Sequence, residues 1–129
     1  MNKLLIVTSV LEVATGVSLL SAPSLTAQLL LGASLESPAA VLLGRVAGAA
    51  LLSIGLTCWL DRNRTLSGPT GLVTGLAAYN ALGAALLAYG GVADGMNGAA
   101  LWPACGLHVV LLIWCARYLL AATGNEGSR

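Results

Sequence analysis

Four long apolar blocks follow one another along this chain, separated by short polar segments, and none of them alternates with a period of two. They run over about residues 4–21, 39–60, 71–89 and 101–122. Each approaches the roughly 20 residues a helix needs to cross ~30 Å of hydrocarbon. Lipid offers no partner for a bare N–H or C=O, so such blocks have to be helices, and the missing alternation argues against a barrel. The pattern predicts an all-α, integral membrane four-transmembrane-helix bundle, a single membrane domain over residues 1–129.

Between the first two blocks, "SAPSLTAQLLLGASLESPA" (21–39) carries a shorter helical signal, with Ser21 and Pro23 as a start and Gly32 as a stop. It is expected to be an interfacial helix lying flat on the outer leaflet. Its plain role is a linker; its functional alternative is a lid over an outward-facing pocket. The opening "MNKLLIVTSVL" followed by "SAPS" has the parts of a signal peptide. Glu12 in the apolar region and the length of the stretch favour a retained helix.

Composition sharpens the picture. Of 129 residues 57% are hydrophobic and only 9% are charged, against roughly a quarter in an average soluble domain. A net charge of +1 provides no basic field for nucleic acid. The charges that remain set a topology. Lys3 precedes the first block, Arg62 and Arg64 follow the second, and Arg117 and Arg129 mark the end of the fourth. The other two connections hold Glu36 and Asp94 without Lys or Arg, so both termini are expected to be cytoplasmic. Trp59, Trp114 and Tyr118 then fall at the inner boundary, and Tyr89 and Trp102 at the outer one. "DRNR" (61–64) reads as a topology-setting loop.

The chemistry lies in the few polar residues inside the blocks. Glu12 is about 13 Å below the outer end of its helix, Arg45 about 9 Å, Tyr79 and Asn80 about 13–15 Å, and His108 about 8 Å. Each helix thus brings a polar position to the outer-to-middle zone. Intramembrane charges are costly and turn toward partners, and Glu12 and Arg45 are the oppositely charged pair available. One reading is a buried network that fixes helix register. The other is an outward-biased polar site for a lipid headgroup, a quinone ring, another small molecule or a proton. Gly44 with Gly48, and Gly71 with Gly75, have the four-residue spacing that lets membrane helices approach closely.

Cys58, Cys105 and Cys115 are odd in number and scattered, so no disulfide framework is implied. Cys105, His108 and Cys115 share one helix face, but a metal needs further ligands at matched depth, and no other His exists. No metal is expected. One His and no CxxCH also rule out bis-His haem within a monomer, and no cofactor is expected. Asp61 and Asp94 sit in loops at opposite faces, so no hydrolytic triad forms, and the reading is not an enzyme.

Over nearly its whole length the chain resembles a group of small four-helix bacterial membrane proteins, loosely DoxX-like. The resemblance is carried by "LEVATG" (11–16), "APSL" (22–25), "LLLG" (29–32), "GRVAGAALL" (44–52), "CWL" (58–60), "YN" (79–80) and "LWPACGLH" (101–108). It implies the fold and a bacterial inner membrane and supplies no activity. Some DoxX-like proteins are associated with respiratory or redox complexes, which leaves a redox-associated subunit as the exception to a non-enzymatic reading. "LEV" is also similar to the carboxylate-bearing first helix of small multidrug transporters, which would imply proton-coupled transport. Neutralisation of Glu12 by Arg45, the one-way Lys/Arg bias and the scarcity of aromatic residues tell against that. The function expected is an accessory or ligand-binding subunit. A purely structural partner of a membrane complex is the alternative, and a small proton-coupled transporter is another; the partners expected are the lipid bilayer and another membrane protein or a second copy of the chain.

Overall fold

The computed structural model describes residues 2–63 and 71–126. Five helices follow in order: α1 (Asn2–Ser21), α2 (Pro23–Leu31), α3 (Pro38–Asp61), α4 (Gly71–Val92) and α5 (Leu101–Glu126). Among the described residues there is no strand. Four of the five, all but α2, are long and apolar enough to cross a membrane. Arg64 and Arg129, two of the residues that set the expected topology, lie outside the described residues.

The surface of the bundle is strongly apolar, and its interior takes in several polar side chains beside the apolar ones. Leu42, Leu43, Leu60, Leu82, Leu86, Val92 and Leu120 are more than 60% exposed, whereas Thr8, Ser9, Glu12 and Asn80 are buried. An apolar surface with its few polar side chains turned inward is the arrangement expected of a multi-pass membrane protein, because lipid is as apolar as leucine.

The helices pair as two antiparallel hairpins, α1 with α3 and α4 with α5. The first pair is drawn together by glycine. A Cβ on Gly16 would lie 2.7 Å from the Gly48 carbonyl oxygen, and one on Gly48 would lie 2.8 Å from that of Gly16. Gly55 fits as closely against Val13 and Ser9. Gly71 and Gly75, despite their spacing, have nothing described within 4 Å of a Cβ and make no such contact. The expected close approach therefore holds at Gly48 and not at the α4 pair.

The hairpins converge at one end. Leu4 and Leu5 of α1, Cys58 of α3, Val73 and Leu76 of α4, and Leu111 and Cys115 of α5 form a single buried cluster. At the opposite end they splay, and α2 fills the gap. It begins at Pro23, a residue suited to a first helical turn, and ends at Gly32, whose left-handed φ of 82° suits glycine. The expected short helix is present with the expected limits. Ser37 then caps α3, accepting from the Ala40 N–H at 3.1 Å, with Pro38 next.

Candidate functional site

The splayed end encloses a cavity of about 710 Å³. Glu12, Tyr79 and His108 line it, together with Thr15, Ser18 and Leu111, and its remaining wall is mostly Leu and Ala. This volume lies within the ~300–1,000 Å³ common for small-molecule sites, and the lining has their usual character, apolar with a few polar groups.

Glu12 reaches the site from α1, which Gly16 and Gly55 seat against α3. It is only 5% exposed, and its Oε2 accepts a hydrogen bond from the Tyr79 hydroxyl at 3.2 Å. Tyr79 stands edge-on to His108, with ring centroids 5.4 Å apart. His108 Nδ1 is 2.9 Å from Asn80 Oδ1, and Asn80 Nδ2 donates to the Leu76 carbonyl at 2.8 Å. Asn80 is fully buried and stands behind the imidazole, not on the cavity wall. Gly83, one turn beyond Tyr79, makes room for the ring: a Cβ there would be 3.0 Å from it.

Four of the five expected polar residues thus form one chain of contacts. Arg45 does not join it. The contacts of Gly16 with Gly48 and of Gly55 with Val13 place Glu12 level with about residue 54 of α3. Arg45 is then about nine residues, or roughly 13 Å, farther along the helix, and it is exposed. The expected Glu12–Arg45 pair is corrected on this ground, and the partner of Glu12 is Tyr79. Counting depth from helix ends misplaced Arg45 because α3 begins well beyond the level at which α1 stops.

For the segment between α1 and α3, the cavity lining favours the lid alternative over the plain linker. Thr26, Leu29 and Leu30 of α2 lie over the cavity, so α2 is a wall of it and more than a linker. It is tied to the α4–α5 connection by the Ala100 N–H, which donates to the Leu29 carbonyl at 2.9 Å. Gly98 lies directly against the Leu30 backbone, where no side chain fits. A side cleft of about 340 Å³ between α2 and α3 shares Leu19, Thr26, Leu30 and Ala47 with the cavity. At the other end, a groove of about 430 Å³ between α3 and α4 shares Tyr79 alone with the cavity among the described residues.

The cysteines contribute nothing to the cavity. Cys58 and Cys115 belong to the buried cluster, and Cys105 contacts the Ala84 carbonyl at 3.5 Å. Among the described residues, no three His, Cys, Asp or Glu side chains are placed to hold a metal ion. Compared with protein-family models, with curated proteins and with solved structures, the chain matches none of them.

Proposed function

We propose that this protein is a ligand-binding membrane subunit, not a catalyst. It takes a small amphipathic molecule out of the bilayer and holds it between its two hairpins. The observation that carries this is the cavity itself, with an apolar wall and a polar floor of Glu12, Tyr79 and His108. The ligand passes laterally through the cleft between α2 and α3, so it never leaves lipid. The Lys/Arg bias supports a bacterial inner (cytoplasmic) membrane location with both termini in the cytoplasm. In that orientation the cavity opens toward the outer leaflet, with α2 near its surface. A DoxX-like kinship fits the same architecture.

Native mass spectrometry of protein gently extracted from its own membrane tests this. A small-molecule adduct is expected, lost in Ala104→Phe, which fills the cavity from α5. A bare chain, or one carried only within a larger protein complex, favours a purely structural role.

A further inference from the structure

The hydrogen-bonding sense of the cavity follows donor by donor. The Leu76 carbonyl can only accept, so the Asn80 atom 2.8 Å from it is the amide nitrogen. The Asn80 oxygen then faces His108, and Nδ1 of the imidazole donates to it. A neutral imidazole has one N–H, which leaves Nε2 with a lone pair. Tyr79 commits its hydrogen to Glu12, Ser18 to the Ala14 carbonyl at 2.8 Å, and Thr26 to the Ala22 carbonyl at 3.0 Å. Thr15 carries the remaining hydroxyl of the wall. No Lys or Arg is among the described residues that line the cavity. Thr15 apart, the polar groups of the wall offer lone pairs, gathered around one carboxyl.

We propose that its occupant is a primary organic ammonium on a compact apolar body, recognised through its N–H bonds as well as its charge. This rests on the ligand-binding reading above. The three N–H bonds of such a head match three acceptors: the Glu12 carboxylate, the Tyr79 oxygen and His108 Nε2. The carboxylate also balances its charge. A phosphate or a quinone carbonyl would set lone pairs against lone pairs, losing water with no bond in return. A quaternary ammonium keeps the charge but has nothing to donate.

The test is made on the wild-type protein in lipid nanodiscs, so no variant has to fold. Three probes share one apolar cage: adamantylammonium, adamantyl-trimethylammonium and adamantane carboxylate. Binding is followed by the ring nitrogen resonances of His108, the single histidine of the chain. Saturable binding of the primary ammonium is expected, at least about tenfold tighter than the trimethyl analogue, since a hydrogen bond to a charged group is worth ~1.5–3 kcal/mol. The carboxylate is expected not to bind. Equal binding of the two cations overturns the role of the N–H bonds. Preference for the carboxylate, or for a short-chain ubiquinone used as a fourth probe, overturns the donor rule and leaves the cavity reading intact. If no probe binds and extracted protein carries no adduct, both fail together.

Discussion

The Tyr79 hydroxyl donates to Glu12 across the gap between the hairpins, from α4 to α1. It is a polar tie at the level where the apolar cluster ends and the cavity begins. Interhelical hydrogen bonds in membranes average ~0.6 kcal/mol and reach ~1.7. Tyr79→Phe should therefore destabilise by about 1 kcal/mol. In a double-mutant cycle with Glu12→Gln, scored by unfolding in mixed micelles, the two changes should couple. Arg45→Met and Glu12→Gln should add simply, since about nine residues of helix separate their levels. Coupling in the second cycle and none in the first would reverse the assignment of partners.

Asn80 sets the tautomer of the imidazole. In the wild-type protein the His108 ring should carry its proton on Nδ1, which nitrogen shifts report directly. Asn80→Leu should release that preference. It should also cost about 1–3 kcal/mol, because a buried donor loses its acceptor. An Nε2–H tautomer in the wild-type protein would contradict the hydrogen-bond chain.

The glycines divide into two kinds. Gly16→Ala places a methyl 2.7 Å from a backbone oxygen that cannot move aside, and should cost about 1–3 kcal/mol as overpacking does. Gly75→Ala meets open space and should be neutral or stabilising, by up to ~1 kcal/mol of helix propensity. Thermal unfolding of the two variants side by side decides it; a larger loss at Gly75 would place a helix contact there.

Thr8, one turn from Glu12, is 1% exposed, and among the described residues its hydroxyl has no hydrogen-bond partner. Thr8→Val keeps the shape and removes the orphan group. Stability should rise by ~1 kcal/mol, the low end of the penalty for a buried unsatisfied polar atom. A loss on the same scale would mean that the hydroxyl is bonded in the membrane.

The four long helices and α2 were legible because length, apolarity and Pro/Gly boundaries are local properties. Glu12, Tyr79, Asn80 and His108 were legible because polar groups in hydrocarbon turn inward. Register was not legible. Helix ends served as a depth ruler, yet α1 stops at Ser21 while α3 begins well beyond that level, so Arg45 was set at the wrong level. Nor did the spacing of Gly71 and Gly75 tell whether anything would approach them. Gly83 and Gly98 gave no signal at all: each matters only through what the fold brings against it, the His108 ring and the Leu30 backbone.

Tyr79 faces the large cavity on one side and the α3–α4 groove on the other. The phenol ring is the partition between them, and its hydrogen bond to Glu12 holds that partition in place. A shorter side chain at this position would join the two voids into one continuous cleft running between the hairpins past the buried carboxyl.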